Sequence, residues 1–266
     1  MSESSQRIVY AFLFMTVGCI LMSIGAFLGE EVFFAQYCDG SPDTFRGRLP
    51  DIFQKGCIPS DARKLVSHTI DAGMILFFLS FALVARLLNP KGWSCNVAFC
   101  MTCVGFASIL KAILHLSTSF PSLACVPCQE VAELRGQSAL VSILRHFFSP
   151  VTGRYSEVSC PMSFHSSAVT LTLMSFTRLI EVSADHYIIL VMVPTLVWIV
   201  ILGGCIVLGR NYTSEIFVGI VMGWFCFAIL SWLQVLGTKE ENQNSKLSQI
   251  IVTLYEVESE AEEGPI

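Results

Sequence analysis

The chain has 266 residues, of which 53% are hydrophobic and only 14% charged, at a mean hydropathy of +0.65. Soluble globular domains average about 25% charged residues, so this deficit excludes an ordinary water-soluble domain and points to lipid as the solvent. The net charge of −5 resides wholly in Lys239–Ile266, with seven Glu and two Lys, which leaves no basic face for nucleic acid.

In chain order, a tail of residues 1–7 precedes six apolar segments: Ile8–Gly29, His68–Leu88, Trp93–Leu116, Met162–Val182, Tyr187–Gly209 and Glu215–Leu236. Each is long enough to cross a hydrocarbon core of about 30 Å at 1.5 Å per residue. Only a helix satisfies every backbone group within lipid, so the predicted class is all-α, a polytopic bundle of six transmembrane helices over residues 8–236. The first segment lacks a small-residue cleavage site and reads as an anchor rather than a signal peptide. Two long polar loops, residues 30–67 and 117–161, separate the first two segments and the third from the fourth. The other connections, Asn89–Gly92, Ser183–His186 and Arg210–Ser214, are short, so three hairpins would place both long loops on one face. The acidic end of the chain, residues 237–266, reads as solvated and disordered. No internal repeat is present.

Two signals compete over orientation. Lys and Arg are more numerous on the long-loop face, which would place it in the cytosol by the positive-inside rule. Long loops follow that rule poorly, and Cys38, Cys57, Cys125, Cys128 and Cys160 lie in or beside them. An oxidising lumen for these loops, with cytosolic termini and residence in a secretory-pathway membrane, is the favoured expectation. Cys125 and Cys128 form a half-site that no second pair completes, so no metal is expected. The other six of the eleven cysteines fall in or beside apolar runs and read as small hydrophobes.

Ionisable residues within membrane segments are costly and invite a functional reading. Asp71 and Lys111 fall at one depth near the long-loop face, joined there by His68, His115, His165, Arg210, Asn211 and Glu215. Asp71 and Lys111 could pair with each other or meet a substrate, and Lys111 with Arg210 could hold a lipid phosphate. The bland reading is that each side chain snorkels separately to the headgroups. On the opposite face Arg86, Lys91, Arg178 and Glu181 read as ordinary interfacial flanks.

Four short motifs, in order, resemble those of the sphingomyelin synthases and related members of the lipid phosphate phosphatase superfamily. Leu49-Pro50-Asp51-Ile52-Phe53 looks like the family's L-P-D-x-F. The run from Lys111 to Pro121 is similar to its arginine-headed second motif, with lysine in place of arginine. Phe164 to Leu173 aligns with F-S-G-H-T-V-T-L-T-L, and its last five residues match. Asn211-Tyr212-Thr213-Ser214-Glu215 aligns with H-Y-T-x-D. The resemblance implies a six-helix bundle of that superfamily and a ceramide phosphotransferase in sphingolipid metabolism. It implies no cofactor, membrane lipids (ceramide and phospholipid) as partners, and homo-oligomers or hetero-oligomers with active family members. It also implies substrate contacts from Asp71, Lys111, Arg210 and Tyr212.

At the catalytic positions the chain departs from the family. The histidine, histidine and aspartate positions are Ser167, Asn211 and Glu215, and His165 falls two places before the first. The family's chemistry resembles other phosphohistidine transfers, in which one imidazole attacks phosphorus and another shuttles a proton. An imidazole suits both roles because its pKa lies near neutrality. The amide of Asn211 has a delocalised lone pair, and Ser167 has no proton to trade near pH 7. Loss of a nucleophile or its base costs about 10⁶ in turnover in a well-studied triad. The expectations are therefore a weak or inactive transferase or a non-catalytic lipid-binding regulator, with His165 as a possible substitute acting alongside Glu215. A transporter or scaffold is the third class, disfavoured by few polar residues at mid-depth. Asn211-Tyr212-Thr213 also forms a glycosylation sequon, close to the bilayer.

Overall fold

A computed structural model describes residues 3–37, 60–118, 120–121, 138–148, 158–181, 184–207 and 211–238. The Leu49–Phe53 motif, Arg210, Cys38, Cys57, Cys125, Cys128 and the acidic residues 239–266 lie outside this set. Seven α-helices are described: α1 (Glu3–Tyr37), α2 (Ser60–Leu88), α3 (Trp93–Ser117), α4 (Ala139–Phe147), α5 (Phe164–Arg178), α6 (Val193–Val207) and α7 (Thr213–Thr238). A π-helical turn, Ile188–Met192, leads into α6. The sole sheet among the described residues is a two-residue antiparallel bridge, β1 (Phe120–Pro121) with β2 (Val158–Ser159), pairing Phe120 with Ser159.

The chain is thus a helical protein with several helices fit to cross a membrane. Five stretches are long and apolar enough: Ser5–Val32, His68–Leu88, Trp93–Ser117, Ile188–Val207 and Thr213–Leu236. Of the expected fourth segment, Met162–Val182, the described α-helical part is α5, whose 15 residues rise about 22 Å, and the segment is not among these five. At its start Ser163 caps the helix, its hydroxyl accepting from the Ser166 amide at 3.4 Å. At its end the backbone tightens into a 3₁₀ turn, Leu179–Glu181. Most of α5 is buried, because α2, α3, α6 and α7 surround it.

Helix directions follow from contact pairs. Gly18 meets Gly105 and Gly25 meets Ala112, a step of seven residues along both helices, so α1 and α3 run parallel. Gly219 meets Ser163 and Ser166 while Gly223 meets Ser167 and Thr170, so α5 and α7 are parallel too. Asp71 meets His165, and Phe81 packs edge-on against Phe176 at 5.3 Å, which makes α2 parallel to α5. Phe77 stacks on the same ring at 5.5 Å, and these aromatics sit in a core that includes Val97, Leu179, Leu190 and Leu202.

The two expected long loops are shorter than the sequence suggested. α1 runs on to Tyr37 and α2 begins at Ser60, while the second loop contains α4 and both short strands. Arg178 is no simple flank: Nη2 donates to Gln234 Oε1 at 2.7 Å and its guanidinium lies 4.4 Å from the Phe99 ring centre, tying α5, α7 and α3 together.

Close backbone approach explains the glycines. A Cβ on Gly18 would lie 2.5 Å from the Gly105 carbonyl oxygen, whereas nothing lies within 4 Å of one on Gly203. Overpacking of this kind costs about 1–3 kcal/mol. Gly18→Ala should therefore lower the unfolding temperature in detergent by several degrees at fixed scan rate, and Gly203→Ala should leave it unchanged.

Candidate functional site

Of the eight polar residues expected at one depth, six are described near the ends of helices or of their apolar spans on one side of the bundle, His68 is described apart from them, and Arg210 lies outside the described residues. Asp71 enters from α2, Lys111 and His115 from the end of α3, His165 from the first turn of α5, and Asn211 and Glu215 from the start of α7. Cys160 marks their common level, since the charges of both Lys111 and Glu215 reach its thiol. His68 is exposed and stands apart.

The best-formed pair is His165 with Asp71, Nε2 to Oδ1 at 2.7 Å. The aspartate is 1% exposed, while the histidine side chain keeps 13% of its surface. A carboxylate this deeply buried needs a donor, and imidazole is one that can also trade a proton. With Asp71 ionised, Nε2–H donates and the ring's lone pair sits on Nδ1. With the ring doubly protonated the two form an ion pair. Either way the carboxylate fixes the ring, as an orienting acid does for a catalytic histidine. Lys111 makes no ion pair with Asp71 among the described residues; its charge is felt at His115 and Cys160 instead.

The positions that align with the family's triad are occupied by structural contacts. Ser167 is wholly buried, its hydroxyl donating to the Gly219 carbonyl on α7 at 2.8 Å and lying 3.1 Å from the Ser163 carbonyl. Ser163 N in turn donates to the Glu215 carbonyl at 3.0 Å. A Cβ on Gly219 would strike Ser166 Oγ and the Ser163 carbonyl, so this close approach needs glycine on α7. A substrate has no path to Ser167 Oγ. Asn211 Nδ2 donates to Glu215 Oε2 at 2.6 Å, one turn along, and Glu215 is 2% exposed. That bond engages the very nitrogen a glycan would modify. Tyr212 is also buried, and Lys111 is partly exposed.

A second cluster lies beside the first. Glu30 Oε2 on α1 takes Arg145 Nη2 at 2.8 Å and His146 Nε2 at 3.0 Å, both from α4. His146 and Lys111 lie within electrostatic reach of the buried His115. Nothing in the motif spacing singles out Glu30, Arg145 or His146. The signals were an acid closing an apolar run and an amphipathic stretch inside a loop. The Gly219-x-x-x-Gly223 spacing opposite a serine-rich helix start was the corresponding sign of the α5–α7 seam.

Of the loop cysteines, Cys160 is described, and it is a buried free thiol that donates to the Met162 carbonyl at 3.4 Å. Burial pushes its pKa up, and the Lys111 charge only partly opposes that. No group of three potential metal ligands occurs among the described residues.

Two outcomes test this geometry. Ser167→Ala should cost about 1 kcal/mol, the worth of one interhelical hydrogen bond, while Ser167→His, which restores the family's residue, should cost about 3 kcal/mol and give no transferase activity, because the ring has no room in the seam. Thermal unfolding and lipid product analysis read both. Cys160 should stay largely unmodified by iodoacetamide at pH 8 and react faster only as the pH rises toward its raised pKa, followed by peptide mass spectrometry.

Compared with known proteins, the chain matches no family model and no curated sequence.

Proposed function

We propose that this chain is a multi-pass membrane protein of sphingolipid metabolism, similar to sphingomyelin synthases, that holds a ceramide or phospholipid headgroup at the polar end of its bundle without passing it through a phosphohistidine. The observation that carries this reading is the fate of the three family positions. Ser167 is locked into a helix seam, and Asn211 donates to the buried Glu215. Their chemistry needs an imidazole with a usable lone pair, and neither position offers one. Lipid binding, by contrast, needs only a polar pocket beneath the headgroup layer, and Lys111 supplies a positive charge there.

The finer architecture belongs to the same reading. α5 is the fourth member of a six-segment bundle of the lipid phosphate phosphatase type, shielded by its neighbours from most of the lipid. The alternation of parallel pairs supports this count. The long connections lie in a lumen or outside the cell, the termini in the cytosol, within a secretory-pathway membrane. A homo-oligomer, or a complex with an active family member, would let a non-catalytic copy act as a regulator.

A second reading rests on the His165–Asp71 pair. A partly exposed imidazole held by a buried carboxylate could act as acid and base on water or a ceramide hydroxyl, giving slow headgroup chemistry from a rebuilt site.

The deciding assay uses purified protein in liposomes of mixed phospholipids with labelled ceramide, resolved by lipid chromatography. The expected result is saturable ceramide binding with no phosphosphingolipid above the protein-free control. Any protein-dependent product overturns the non-catalytic reading. Its loss in both His165→Ala and Asp71→Asn would assign the chemistry to the rebuilt pair.

A further inference from the structure

α4 has its faces reversed relative to a helix that shields a core from water. Leu140 is 66% exposed, and Val141, Leu144 and Phe148 are exposed with it, whereas Ser142 is 5% exposed and His146 is also buried. At 100° per residue the four apolar side chains fall within an arc of about 100°, with Ser142 and His146 on the far side. The pattern is amphipathic, and its apolar stripe points out of the protein.

The depth of α4 is fixed independently. Arg145 and His146 both bind Glu30 Oε2, and Glu30 with Glu31 follows directly on the apolar run Ile8–Gly29 of α1. Leu28 and Val32, on either side of Glu30, are themselves exposed. The outward stripe of α4 therefore lies at the level where the apolar run of α1 meets its first acidic residues, Glu30 and Glu31. A contiguous apolar face at that level is covered by the edge of the lipid tails.

We propose that α4 is an in-plane interfacial helix, with Leu140, Val141, Leu144 and Phe148 seated in the upper acyl-chain region of the surrounding phospholipid. Its polar face is turned inward onto Glu30, next to His115 and Lys111. The two ion-pairing residues on one turn of α4 hold it to α1, and the leaflet holds its other side. The segment that reads as a polar loop is then a part of the membrane contact surface. This proposal stands apart from the sphingolipid reading, because any phospholipid leaflet supplies the partner.

The test uses the full chain in phosphatidylcholine liposomes carrying a small fraction of phosphatidylcholine with a diazirine high in its acyl chain. After irradiation, adducts are mapped by peptide mass spectrometry. Hydroxyl-radical footprinting of the same liposomes reports water contact. The expected result is lipid adducts on Leu140, Leu144 and Phe148, several-fold above Ser142 and His146, with slow radical oxidation of the same three. Leu144→Asp should cut adduct yield on this segment at least fivefold while α1 and α3 remain labelled as in the wild type, which shows that the bundle still stands. Fast oxidation without lipid adducts would place the stripe in water and overturn the proposal. Copy-to-copy cross-links through this segment in place of lipid adducts would also overturn it, assigning the face to a second copy of the chain.

Discussion

Helices surrounded by lipid gain little by hiding leucine from chains that are as apolar as leucine, so their association depends on how closely two backbones can approach. In this protein that constraint is met at two seams of small residues. Along α1 and α3, Gly18, Gly25 and Gly105 let main chain lie against main chain. Along α5 and α7, Ser163, Ser166 and Ser167 close on Gly219 and Gly223, and the Ser167 hydroxyl crosses the seam to a carbonyl. The second seam joins its helices by a hydrogen bond as well as by close approach. Once serine is the bolt between two helices, its position can no longer carry an imidazole that reaches a substrate. At the start of the same helix, Asn211 donates to Glu215 one turn along.

The polar end of the bundle follows from a related requirement. Each charge drawn beneath the headgroups must find a partner within the protein, because lipid offers none. Asp71 finds His165, and Glu30 finds Arg145 and His146. The Lys111 charge is felt at the buried His115 and at Cys160. The result is two adjacent acid-centred clusters, one built from α2 and α5, the other from α1 and α4. They share a level but belong to different helix pairs, so a change in one need not dismantle the other.

Much of this was legible in the sequence, for physical reasons that can be named. Long apolar runs identify α1, α2, α3, α6 and α7 because lipid leaves the chain no other way to satisfy its backbone. The gathering of Asp71, Lys111, His165, Asn211 and Glu215 followed from alternating direction alone. The partner of Asp71 did not, because direction fixes depth but not azimuth, and the rotation of α2 decides between Lys111 and His165. The shortness of α5 was hidden for another reason. Hydropathy counts an apolar residue the same whether lipid or another helix covers it, so a buried helix and a spanning helix look alike. α4 was missed because its nine residues are too few to cross a membrane and they sit between polar stretches of a long connection. The four-step motif order pointed to a family, yet motif letters cannot show that Ser167 is enclosed.

The brevity and polarity of α5 bear on how the protein is made. Six of its residues and its cap, from Ser163 through Ser175, carry hydroxyl or imidazole groups, and almost all are covered by neighbouring helices. Such a segment has poor affinity for bare lipid as it leaves the ribosome. α2 and α3 are synthesised before it and can receive one side, but α7, which closes the serine seam, emerges some fifty residues later. The seam between α5 and α7 can therefore close only after α6 and the first turns of α7 have been synthesised.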